Sequence, residues 1–306
     1  MLGGITILIP LGAISWLVRF HPDSLRPFVF RSLLSGGMVA FAYSAGAWSY
    51  SSWYLRTIIV LLFVVAFLYR FVTVRALPWT VDRRRSSLRL AGRLSAMFGI
   101  ALLNLQQIDG RVFGGDAIDL RFPLVAGRYC VLQGGRGPLA NPFHYLYGAS
   151  RYALDIVRLN AFGNRASGVA PARVEDYEIF GDTVMAPCDC HVVTAVDIYP
   201  DQTPGEADSH HAAGNHIVLQ CGELELLLAH LKHGSIRTIA GRDVRTGEPL
   251  ARVGNSGNSS EPHLHIQATR FERQRNGISA IPVPITFDGR FLAINDVVAS
   301  SVGGGR

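Results

Sequence analysis

The sequence has almost no lysine: of 29 basic residues only Lys232 is one, and the others are arginines. A group of them, Arg83, Arg84, Arg85, Arg89 and Arg93, follows an apolar region, and no aromatic-interleaved basic face accompanies it. That pattern argues against nucleic acid as a partner and for anionic lipid headgroups. Cysteine is also scarce. Cys130, Cys188, Cys190 and Cys221 are too few for a disulfide framework, and only Cys188-x-Cys190 is a close pair, which excludes a zinc ribbon. They read as buried or singly bridged, and the sequence leaves both open. A signal peptide is lacking too, since the apolar start has no basic stretch before it and no clear small-residue cleavage site.

What is abundant is hydrocarbon. Apolar residues make up 49% of the chain, and the excess sits in the first 75 positions. Segment 57–74 is nearly unbroken apolar sequence apart from Arg70, expected to snorkel from near a helix end. Leu2–Val18 is apolar and uncharged around Pro10, and 32–50 is rich in small residues. There Gly36, Ala40 and Ser44 fall four apart, a face suited to helix–helix contact. A buried soluble hairpin is disfavoured by the near absence of charge inside these segments.

The expected organisation is a membrane region over 1–75 with two to three transmembrane helices, then a basic juxtamembrane linker or helix over 76–108. A β-rich domain over 109–290 and a flexible tail over 291–306 complete it. Arg19, Arg26 and Arg31 precede the second span and the arginine group follows the third, so the positive-inside rule puts both on the cytoplasmic side.

Beyond position 109 little has helical period. Short β-branched runs at 119–124, 128–133, 152–159, 191–198, 216–220, 224–230 and 263–268 are broken by Gly, Pro, Asn and Asp. They predict an all-β domain of antiparallel strands. The long polar stretches 160–181 and 199–214 are expected to wall a site.

Its chemistry is carried by GNSGNSSEPHLHI at 254–266. Alternation along a strand puts His263 and His265 on one face with Cα atoms roughly 7 Å apart. A zinc hydrolase needs three protein ligands, an open position and a group to handle the proton. His144, Asp155, His230, His263 and His265 are the candidates. Asp155 stands in the apolar run YALDIV, where a carboxylate is costly without a cation or hydrogen bonds.

Four collinear blocks over about 140–270 resemble the lysostaphin-type zinc endopeptidases, the M23 or LytM-like family. They are NPFH ending at His144 with YALD ending at Asp155; GDTVMAP at 181–187; GNHIVL from Gly214 with LLAHL around His230; and the 254–265 stretch. The resemblance implies Zn2+ held by His144, Asp155 and His265, with His230 and His263 as the two non-ligand catalytic histidines facing the reacting water. It further implies peptide bonds of a peptidoglycan stem or cross-bridge as substrate. The chain would sit in a bacterial inner (cytoplasmic) membrane with the catalytic domain extracytoplasmic, against the arginine count; long domains can translocate despite flanking charge.

Two departures stand out. Ten residues separate His144 from Asp155 where the family pattern has three, and Leu228-Ala229 precedes His230 where the family has Tyr-Ala. Two alternatives stay open: an inactive membrane-tethered binding or regulatory module of the same fold, and a zinc peptidase of protein or peptide substrates.

Around these, Asn141 is a candidate to orient His144. Asn255, Ser256 and Asn258 are either substrate contacts or ordinary turn residues. His210 and His211 read as a solvated loop pair, His191 and His216 as strand residues, His233 as a turn histidine, and 181–187 as structural.

Overall fold

Two textures of sequence become two units, Met1–Ile108 and Asp109–Arg306. The computed structural model describes residues 2–80, 87–274 and 277–301; Arg83, Arg84 and Arg85 and the last positions of the expected tail lie outside the described residues.

The first unit is helical: α1 (Leu2–Val18), α2 (Leu25–Ala45), α3 (Leu55–Val74) and α4 (Ser87–Arg111), the last crossing the boundary. Leu17, Phe28 and Val74 pack together, as do Val39, Ala42, Trp48 and Ile59. The outward faces are also apolar, with Leu8, Leu33, Leu61, Val65 and Leu68 exposed. Two helices, α2 and α3, are long and apolar enough to cross a membrane, while the apolar part of the first, Thr6–Val18, is shorter.

Three details differ from expectation. The second apolar helix begins at Leu25, seven residues before the expected 32, because Pro27 falls in its first turn, where a missing N–H costs nothing. It ends at Ala45, and Trp48–Tyr50 form a separate short turn. Arg70 does not snorkel: it is buried, and its guanidinium donates to the Phe20 carbonyl. Gly36 is met inside the chain, since a Cβ there would lie 3.2 Å from the Phe63 ring of α3.

The second unit is built on β1 (Ile118–Leu120), β2 (Gly127–Gln133), β3 (Leu154–Leu159), β4 (Thr183–Met185), β5 (Cys190–Val196), β6 (Asn215–Cys221) and β7 (Leu224–Leu231). Then come β8 (Asp243–Val244), β9 (Pro249–Arg252), β10 (Leu264–Gln274), β11 (Gly277–Val283), β12 (Ile285–Phe287), β13 (Arg290–Phe291) and β14 (Val297–Ser300). One sheet runs β14-β2-β3-β10-β7-β6-β5-β8, with β11 also on β10, and its pairs are antiparallel. β4 pairs β9, and β1 joins β12 in parallel.

Period-2 alternation explains the core. In β6, Asn215, Ile217 and Leu219 are buried while His216, Val218 and Gln220 are less so. Ile217 and Leu219 form one apolar cluster with Ile156, Leu226, Leu228, Leu264 and Ile266. The expected loose tail after 290 is corrected: β13 pairs β12, and β14 lies along β2 with Val297 opposite Cys130. β14's short polar-flanked run, VVAS, is stabilised by that edge and carries little strand signal alone.

Candidate metal centre

Three adjacent strands meet in one row. Asp155 of β3 lies directly across from His265 of β10, and Ala229 of β7 is opposite His265 on the other side. His230 follows Ala229 at a register shift between β6 and β7, with φ of 60°, a backbone state unusual for a residue with a side chain. A bulge of this kind re-aims one side chain, and here it turns His230 toward the row. His263 sits one residue before β10 and faces the same way.

His144 arrives differently. It lies on the one-turn helix α5 (Pro142–Tyr145), which Pro142 opens at its first position. The ten residues between His144 and Asp155 form this turn, a second short turn at Gly148–Ser150 and the return to β3. The long spacing is therefore an excursion that brings the imidazole back: His144 Nε2 lies 3.4 Å from Asp155 Oδ2.

All five side chains converge. Asp155 Oδ1 is 3.0 Å from His265 Nδ1 and 3.4 Å from His263 Nε2. Ring centroids lie 5.0 Å apart for His144 and His265, 4.7 Å for His230 and His263, and 5.7 Å for His230 and His265. Each histidine is under 10% exposed.

The outer nitrogens are all tied down, which sets the tautomers. His144 Nδ1 donates to Asn141 Oδ1 at 2.9 Å, and His230 Nδ1 to the Ser256 carbonyl at 2.9 Å. His263 Nδ1 donates to the Glu261 carbonyl at 2.8 Å, and His265 Nε2 to Gln267 Oε1 at 3.1 Å. The inner nitrogens of His144, His263 and His265 then face the Asp155 carboxylate. Acceptors facing each other at 3.0–3.4 Å need a proton or a cation between them.

The electrostatics agree. Burial pushes Asp155 up, but facing charge on His263 and His144, with hydrogen bonds from His263 and His265, outweighs it and holds the carboxyl well below its usual range. Burial lowers His144 despite Asp155. Burial, then repulsion from His263 and His265, holds His230 well below the histidine range. For His263 burial is overcome by Asp155, and the imidazole is raised.

Among the described residues, two donor sets at this centre are close enough to hold a metal, each within 4.8 Å: His144, Asp155 and His265, and His230, His263 and His265. The first contains the carboxylate whose charge calls for a cation, so it is the better fit. Two imidazoles and a carboxylate, with the outer imidazole nitrogens hydrogen-bonded, match what a catalytic zinc needs.

Comparison with known proteins is informative over part of this region. Residues 175–277 match the model of peptidase family M23. This M23 segment contains His230, His263 and His265; His144 and Asp155 precede it. The search of curated proteins found no match. Among solved structures, lysostaphin from Staphylococcus simulans is similar at 16% identity, covering 57% of this chain and 49% of its own, with a TM-score of 0.28. A peptidase M23 from Pseudomonas aeruginosa gives 16%, with 66% and 60% covered and a TM-score of 0.29. A zinc-containing peptidase from Vibrio cholerae gives 18%, with 56% and 43% covered and a TM-score of 0.26. This chain thus spans about half the length of lysostaphin.

The surrounding loop is fixed from inside. Asn255 Nδ2 donates to the Gln202 carbonyl, Asn255 Oδ1 accepts from Ser259, and Ser256 Oγ donates to the Leu231 carbonyl. These side chains serve the turn. Asn258 ties the loop through its backbone N–H to Ala212. Gly254 and Gly257 leave no room for a side chain: a Cβ at either would lie 2.4 Å from backbone atoms. Of the remaining histidines, His191 and His211 pair with Asp243 and Asp208, His216 bonds the Gly214 carbonyl, and the His233 backbone N–H donates to Asp201. His210 lies exposed in the turn that Asp208 caps.

Sequence reading missed two groups. Gln267 gave no signal beyond lying two residues after His265, a same-face position. Arg165, buried in loop 160–181, grips Glu261 with Nε to Oε1 at 2.8 Å and a terminal nitrogen to Oε2 at 2.5 Å, and so steadies the carbonyl that orients His263.

Asn141 lends itself to a direct check. It donates to the Ala153 carbonyl at 3.0 Å while accepting from His144. Asn141→Ala should weaken metal binding about 10–100-fold, the usual loss when an outer hydrogen bond to a ligand histidine is removed. Titration against a chelator measures it, and an unchanged affinity would remove Asn141 from this role.

Proposed function

We propose that this chain is a membrane-anchored zinc metalloendopeptidase that hydrolyses peptide bonds of peptidoglycan. The observation that carries the reading is the convergence of three imidazoles on the Asp155 carboxylate with a fourth, His230, packed against two of them, each outer nitrogen already hydrogen-bonded. His144, Asp155 and His265 would hold the zinc. Bound zinc supplies Lewis acidity, activating water and polarising a carbonyl. The bulge at His230 and the Glu261 carbonyl behind His263 aim two further imidazoles at the same space. Together His230 and His263 take up, hold and return the proton and steady the charge that develops on the scissile carbonyl oxygen.

Membrane anchoring is supported by α2 and α3, apolar on their outward faces as well as between them, a pattern suited to lipid and not to water. A cell-wall substrate requires the β unit outside the inner membrane. The experiment has two readouts on the full chain. Purified in detergent, it should release new amino termini from peptidoglycan sacculi, and a C-terminal reporter fusion should be active only on the outer side. Cleavage of protein substrates with none of peptidoglycan, or a reporter active only in the cytoplasm, would overturn the reading.

A further inference from the structure

We propose a second metal site, made by Cys188, Cys190 and Cys221, for a soft thiophilic cation of the Zn2+ or Cu(I) class. Cys190 opens β5 and Cys221 closes β6, where the pairing of His191 with Gln220 sets them side by side, their Cα atoms 4.8 Å apart. Cys188 lies one turn residue upstream, its Cα 5.7 Å and 6.8 Å from the other two. The three sulfurs meet at one point, each touching both others. A sulfur makes one disulfide bond, so bridging any two leaves the third as a thiol pressed against the bridge. One cation uses all three.

The surroundings select its chemistry. Cys190 is buried, and half-buried Cys188 and Cys221 pack against the apolar core, so thiolates there need a compensating charge. The neighbouring harder donors are engaged elsewhere: Asp189 accepts from the Thr246 backbone N–H and hydroxyl, and His191 bonds Asp243. A donor set of sulfur alone favours Zn2+ or Cu(I) over harder ions. Partial exposure of two ligands provides an entry path and an open coordination position. The cluster lies at the far end of β6 from Asn215, about 20 Å along the strand, so it is separate from the histidine centre.

Co2+ is the probe, because sulfur-to-cobalt charge transfer in the near ultraviolet reports thiolate ligation and the His/Asp centre gives none. In the full chain carrying Asp155→Ala, reduced and in detergent, about one equivalent of Co2+ should bind with that band, and Zn2+ should displace it. Adding Cys190→Ser should abolish the band; Cys188→Ser and Cys221→Ser, made singly, should do the same. Should a serine variant fail to fold, the Asp155→Ala chain with its cysteines intact still decides the matter. Absence of the band there overturns the site. So does a chain isolated without reductant that is lighter by the two hydrogens of a disulfide among these cysteines.

Discussion

Asp155→Ala is expected to abolish both stoichiometric metal at the histidine centre and peptidase activity, by at least about 1000-fold in kcat/KM, equivalent to about 4 kcal/mol. Asp155 touches three of the four imidazoles, so its loss removes a ligand and the charge that makes the centre attractive to a cation. His263→Ala should behave differently. Its Nδ1 is held by Glu261 and its Nε2 faces Asp155 at 3.4 Å, outside the donor set His144, Asp155 and His265. The metal should stay while turnover falls, by about 100-fold or more if the histidine handles the proton. Metal analysis of the two variants beside their kinetics separates the roles. Full metal in Asp155→Ala, or none in His263→Ala, would reverse the assignment.

Arg165→Met is expected to cost about 3–5 kcal/mol, because it removes both charge-assisted hydrogen bonds that the guanidinium gives to the largely buried Glu261 carboxylate. For a unit of this size that is a fall in melting temperature of roughly 6–20 °C. The double variant Arg165→Met/Glu261→Gln should recover much of the loss, since the group that lost its guanidinium is then uncharged. Equal melting of single and double variants would show that the pair does not act as one. The turnover of the single variant should fall as well, through the shifted carbonyl behind His263.

The parts of the centre written locally were legible. His263 and His265 could be paired from two-residue spacing, and most strands of the main sheet showed as short β-branched runs. Asp155 was marked by being charged in an apolar run. What could not be read depends on distant neighbours. The bulge that turns His230 is a property of the β6–β7 register. The α5 excursion that returns His144 has no periodic signal in one turn. Short strands such as β8, β13 and β14 exist because an edge accepts them. Gln267 and Arg165 acquire meaning only once His265 and Glu261 have their places. The three cysteines read as buried or singly bridged, and their meeting depends on the β5–β6 pairing.

The row formed by β3, β10 and β7 has a consequence for timing. Asp155 and His265 come from strands 110 positions apart in the chain, and only His144, ten intervening residues before Asp155, lies near either of them in sequence. A polypeptide still being made therefore presents only part of the proposed donor set, which is complete when β10, late in the chain, pairs with β3 and β7. Non-local pairing of this kind is slow compared with local structure. On the proposed assignment of His144, Asp155 and His265 as ligands, metal capture therefore follows the closing of the domain.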